Sequence, residues 1–180
     1  MINSKKRSEF VIKYKFSSAE PLNPAFVTIN AHDFTMAIRD FLLENFRGLI
    51  DIDTNIDNTK DIRVSLEYVA FFLKTIIFYV HARRFIKISI ESKKDWVEML
   101  IDFGNDFVFE DNELRNIIRA VRNSGMHFSI KEDKFMIIAQ YTDIPSYRIY
   151  ALNPKDGYRR TLYSLREIFF CGPPMVEKSE

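Results

Sequence analysis

Apolar and polar residues alternate over residues 9–16, Glu-Phe-Val-Ile-Lys-Tyr-Lys-Phe, and this period of two predicts a strand. The Ser-Ser-Ala-Glu-Pro-Leu-Asn-Pro stretch behind it reads as a loop. Residues 25–29 read as a second strand. Asn30 is placed to cap a helix, with Asp33 in its first turn. There Phe34, Ile38, Phe41, Leu42 and Phe46 fall on one apolar face, and Gly48 closes the helix. Residues 51–61 are polar and turn-rich and read as a loop. The stretch 64–83 is apolar almost all round, which predicts a helix buried on most of its faces.

Period two then returns. Residues 85–91 and 96–102 alternate and are joined by Ser-Lys-Lys-Asp, the pattern of a hairpin. Asp111 or Asn112 can cap the next helix, whose core face is Leu114, Ile117, Ile118 and Val121 and whose stop is Gly125. Residues 126–130 and 135–141 form a second hairpin across Lys-Glu-Asp-Lys. In the tail, 147–152 reads as a strand, 153–157 as a turn and 161–170 as a short helix. One-sided strands and three apolar helix faces predict an α+β two-layer sandwich. Both hairpins would share one mixed sheet, with helices 32–46, 64–83 and 112–124 on a single face. The chain divides into an N-terminal strand and loop (1–24), a central domain (25–142) and a C-terminal strand–helix extension (143–180).

Composition narrows the class. The chain has 180 residues, 47% hydrophobic and 14% aromatic with 17 Phe, enough for a substantial core. Its formal net charge is +1 with scattered basic residues, which does not suggest a nucleic-acid partner. Cys171 is the single cysteine, so no disulfide can form within the chain, and a reducing, cytoplasmic setting fits. The greasiest segment, 68–80, contains Lys74 and is too short to span a bilayer, so no membrane association is expected.

Several candidate sites have simpler explanations. The four aspartates of 51–61 invite calcium, but the central glycine and terminal glutamate of an EF-hand loop are missing. His32, His81 and His127 lie on three different elements without ligand-like spacing, so no metal site is expected. His81-Ala82-Arg83-Arg84 is a basic knot that suits a helix C-terminus as well as an anion. Lys5 to Arg7 read as a solvated terminus, and Phe169-Phe170 with Pro173-Pro174 as core cover or a docking segment.

The most informative stretch is the strand ending Asp102-Phe103-Gly104, followed by Asn105-Asp106-Phe107. Within its order of helices and hairpins it resembles the adenine-binding corner of the GHKL ATPases, the group of gyrase and the histidine kinases. It is most similar to the anti-sigma-factor serine kinase branch, whose motif there is Asp-Phe-Gly-x-Gly-Phe. The resemblance covers about residues 25–142. It implies that Asp102 accepts a hydrogen bond from the adenine amino group and that Gly104 lets the ligand approach the backbone. The motif's second glycine is Asp106 here. On the long helix, Ile77 or His81 occupies the place of the magnesium-binding asparagine, depending on register. Ile77 offers no hard oxygen for magnesium. Residues 108–113 carry carboxylates and no glycine where the family wraps the triphosphate.

The remnant nucleotide-binding set is therefore Asp102, Gly104, Asp106, Ile77 and His81, with no catalytic residue and no metal ligand. The expected role is a non-catalytic regulatory domain on a degenerate GHKL-like fold, without cofactor, acting through a protein partner or as a homodimer. The alternatives are an ATP- and magnesium-binding serine kinase with an altered metal site, and a small-molecule sensor that keeps the adenine pocket.

Overall fold

The computed structural model describes residues 25–57, 60–80, 85–104, 108–143 and 156–171. The N-terminal strand expected at 9–16 and the tail strand expected at 147–152 lie outside them. Strand β1 (Phe26–Asn30) leads directly into helix α1 (Ala31–Asn45). Asn30 caps α1 as expected, its Oδ1 accepting from the His32 and Asp33 amides at 3.0 and 3.3 Å. Phe34, Ile38, Phe41 and Leu42 are fully buried along the predicted face.

The segment 51–61 is not the loop its aspartates suggested. Its first half belongs to strand β2 (Ile50–Asn55), and strand β3 (Asp61–Ser65) begins at its last residue. Ile50 and Ile52 point into the core while Asp51 and Asp53 face solvent, so the acidic residues fill the outward half of a two-residue period. Helix α2 (Leu66–Val80) consequently starts two residues later than the apolar run implied. Ile62 and Val64 belong to β3, which pairs antiparallel with β1 in a separate two-stranded ladder.

Strands β4 (Ile86–Ser92) and β5 (Trp96–Asp102) form the first expected hairpin, and β6 (His127–Lys131) and β7 (Lys134–Gln140) the second. Glu132 and Asp133 turn the second with φ of 50° and 61°. All four join one five-stranded sheet of order β2-β4-β5-β7-β6, as predicted, and β2 adds a parallel edge to β4. Helix α3 (Asp111–Asn123) is capped one residue earlier than expected. Glu110 and Glu113 form a reciprocal capping box there, with the Glu110 amide donating to Glu113 Oε2 at 3.1 Å.

The fold is α+β: a mixed sheet with helices on one face. Ile86, Ile88, Ile90, Val97, Met99, Ile101, Phe135 and Ile137 share one core cluster with the buried residues of α1, α2 and α3. Helix α4 (Asp156–Arg166) and the π-helical turn Glu167–Cys171 join the same cluster through Leu165, Ile168 and Phe169. The expected turn at 153–157 ends differently, because Gly157 already lies inside α4. Phe169 packs its ring 4.8 Å from Phe41 and 5.7 Å from Phe46. Lys74, nearly buried on α2, donates from Nζ to the Ile168 carbonyl at 2.7 Å, and burial lowers its pKa. The apolar wrap of α2 thus has two causes, the sheet side of the core and the C-terminal helix.

Candidate functional site

Strand parity places Asp102. Val97, Met99 and Ile101 point toward the helices, so Trp96, Glu98, Leu100 and Asp102 point to the other side of the sheet. Asp102 lies opposite Lys87 on β4. Its Oδ1 accepts from the Gly104 amide at 2.8 Å, and its Oδ2 lies 3.2 Å from Lys134 Nζ at the start of β7. Chiefly the Gly104 N–H, and with it Lys134 against a partial desolvation, holds the Asp102 carboxyl below its ordinary pKa. Gly104 has φ of 75°, a conformation that favours glycine whether or not a ligand approaches.

Ile77 is on the helical side, 1% exposed, next to the equally buried Leu73 and Ile76 on α2. The structure therefore does not bring Asp102 and Ile77 together: the carboxylate and the buried isoleucine lie on opposite faces of the sheet. His81 and Asp106 lie outside the described residues. Where β5 leaves the sheet, four aromatic rings fill the space. Phe103 packs against Phe109 and Phe135 at 5.0 and 4.8 Å between centroids. Phe109 stacks on Phe135 at 4.9 Å, and Phe128 meets Phe135 edge-on at 4.9 Å. Phe103, Phe109 and Phe135 are all buried. Glu110 and Glu113, expected to oppose a triphosphate, instead satisfy the first amides of α3.

A second concavity was not visible in the sequence. A cleft of about 300 Å³ lies between α1 and α4, lined by His32, Asp33, Met36, Asp40, Tyr158 and Arg159. Its polar groups already serve one another. Tyr158 Oη donates to Asp40 Oδ2 at 3.0 Å, and Arg39 donates to Asp40 Oδ1 at 2.9 and 3.0 Å. Burial, then Asp40, raises the Tyr158 pKa. These residues come from segments over 100 positions apart, and no local motif joins them. Among the described residues no group of three or more His, Cys, Asp or Glu is placed to hold a metal ion, and no helix is long and apolar enough to cross a membrane.

With its sheet order and helical layer, the chain is an α+β domain of mixed-sheet type, and solved structures similar to it come from histidine kinases. The cytoplasmic segment of histidine kinase QseC matches with 10% identity, covering 77% of this chain and 93% of that one, at a TM-score of 0.42. Acinetobacter baumannii histidine kinase AdeS matches with 13% identity over 67% of this chain and 68% of that one, at 0.47. The ATP binding domain of PrrB from Mycobacterium tuberculosis matches with 12% identity over 64% and 96%, at 0.41. No family model matches the chain. No curated protein matches it in sequence.

Proposed function

We propose that this chain is a non-catalytic regulatory domain on a degenerate GHKL-like frame, which acts through protein contacts and not through nucleotide turnover. The observation that carries the proposal is the separation of Asp102 from Ile77. A GHKL-type site needs its adenine-binding carboxylate and its magnesium-binding amide on one cavity. Here the carboxylate is committed to Lys134 and the Gly104 amide on the outer face. In the register that lays Ile77 on the asparagine, the helical position is a fully buried isoleucine, and aromatic rings fill the space where β5 leaves the sheet. ATP with magnesium does not fit these residues: Ile77 supplies no oxygen ligand, and Glu110 and Glu113 are engaged in capping α3. The resemblance to anti-sigma kinases suggests a cytoplasmic regulator whose partner is a sigma factor or its antagonist.

A thermal-shift titration with ATP, ADP and adenosine, each with and without magnesium, tests this. A ligand that binds only the native state raises its stability with concentration. No shift is expected with any of the three. A magnesium-dependent shift, or ATP turnover lost on Asp102→Asn, would defeat the proposal. A shift with adenosine alone would point to the sensor reading.

A further inference from the structure

The outer face of the sheet is apolar at its centre. Trp96 and Leu100 on β5 stand beside Met136 and Ile138 on β7, all half-buried. None of the four belongs to the core cluster or to the residues packed on it. The buried residues of all four described helices lie on the other face. Two polar atoms of this outer face, Trp96 Nε1 and Ser129 Oγ, are themselves buried and have no hydrogen-bond partner. Around the apolar centre, Asp51, Asp53, Glu91 and Glu98 outnumber Lys87 on the β2–β4–β5 side, Glu91 being paired with Lys93 at 2.7 Å.

We infer that this face is the docking surface for an extended, basic, amphipathic segment, and that its occupant is the chain's own residues 9–16. Three observations select that occupant. The first is chemical. Phe10, Ile12, Tyr14 and Phe16 fall on one side of a period-two segment, and Lys13 and Lys15 on the other. Residues 1–24 carry five basic residues (Lys5, Lys6, Arg7, Lys13, Lys15) against Glu9 and Glu20. An apolar strip in a basic frame complements an apolar patch with an acidic rim.

The second is where the described chain begins. Phe26 sits over Gly125, where an added Cβ would lie 2.8 Å from Phe26 Cε1. Gly125 leads through Met126 into β6, the edge strand of the sheet. Residues 17–24 span up to about 26 Å when extended, and the five strands cover about 19 Å between their outer axes. The tether therefore reaches across the patch. The third is concentration. A segment on so short a tether is presented at roughly millimolar effective concentration, which outcompetes a free partner of equal chemistry. The indole N–H and the Ser129 hydroxyl then gain groups to bond, relieving two buried polar atoms. This inference holds whether or not a nucleotide binds on the helical side.

Trp96 is the single tryptophan and reports on this face directly. In the full chain, the double variant Ile12→Asp, Tyr14→Asp is expected to red-shift its emission. Acrylamide quenching should rise roughly twofold, because a ring released from apolar cover gains solvent contact. Unchanged emission and quenching would overturn the inference. Carbodiimide crosslinking of the unaltered chain, mapped by mass spectrometry, decides the matter even where the variant fails to fold. Crosslinks within one chain from Lys13 or Lys15 to Glu91 or Glu98 are expected. Crosslinks only between two chains would make the occupant a second copy and overturn the inference. So would crosslinks confined to acids of the helical side, such as Glu44 or Glu113, or none from either lysine.

Discussion

In the register that lays Ile77 on the asparagine of the GHKL pattern, replacing Ile77 by asparagine tests directly whether this point of the long helix can face a ligand. The structure says what that change costs here. Ile77 is 1% exposed on α2. Losing its burial removes about 1.5–3 kcal/mol. An amide introduced among Leu73, Ile76 and the rest of the core loses its hydration, at about 1–3 kcal/mol when left unpaired. Together these reach about 2.5–6 kcal/mol, against a total stability of about 5–15 kcal/mol for a domain. For a chain of this length each kcal/mol moves Tm by about 2–4 °C. Ile77→Val, which only trims a methylene, should cost about 0.5–1.5 kcal/mol. Thermal melts and urea titrations of both variants, with and without ATP and magnesium, give the comparison. The expected result is a large loss for asparagine, a small one for valine, and no recovery with ATP. If Ile77→Asn were as stable as Ile77→Val, position 77 would face a polar space, and the reasoning would fail. It would also fail if magnesium-ATP raised the Tm of the asparagine variant.

Other consequences are equally direct. Asp102 has its folded pKa below its unfolded one. Its contribution to stability is therefore complete above the ordinary carboxylate value of about 4 and is lost as pH falls through the depressed folded value. Lys134→Ala should accordingly destabilise by no more than about 1 kcal/mol at neutral pH, since the pair is partly exposed. The deficit should shrink in urea titrations as pH falls below about 4; a deficit equal at acid and neutral pH would dissociate Lys134 from Asp102. Gly125 has φ of 87°, and an added Cβ would lie 3.3 Å from the Arg63 carbonyl as well as against Phe26. Gly125→Ala should cost about 1–3 kcal/mol by chemical denaturation, and a neutral result would contradict the turn geometry. Phe169→Ala should cost about 3–5 kcal/mol, because Phe169 is 2% exposed against Phe41 and Phe46. A loss below 1 kcal/mol, roughly the level of a surface change, would show that the C-terminal helix is not part of the core.

Local signals were strongest where they were redundant. The β4–β5 and β6–β7 hairpins have both alternation and turn residues, and α1 has a cap, an acidic first turn and a clean apolar face. β2 and β3 escaped because their signals conflict. Asp51 and Asp53 occupy the outward positions of β2, so a strand with only two buried isoleucines has the composition of a loop. Between β3 and α2 no glycine or proline marks the change of period. Ile62, Val64 and Leu66 suit an apolar helix start as well as a strand. The site divides in the same way. That Asp102 faces away from the helices follows from Ile101 being an inward position, a matter of parity along one strand. That Lys134 holds it needs the β5–β7 register, which pairs Ile101 with Phe135. The rings of Phe103, Phe109 and Phe135 meet only through the fold, and no spacing in the sequence announces them.

The character of α2 links these features. A helix that lines a nucleotide site must keep one face polar and open to ligand, whereas a helix apolar all round needs cover on every side. Here that cover is protein. The sheet-side core takes one part of the surface, and the segment 156–171 takes another, where Lys74 bonds the Ile168 carbonyl and Phe169 reaches Phe41. Ile77 lies one helical turn from both Leu73 and Lys74, so it sits beside this second contact. A polar residue at 77 would then face packed side chains from the chain itself. The apolar residue at 77 and the C-terminal helix over α2 are thus physically coupled. Exchanging residue 77 alone would leave the cover in place, and removing the cover alone would expose a hydrophobic helix and invite association. A ligand-facing surface on α2 would need both changes together, so a polar residue at 77 alone is energetically unfavourable in this fold.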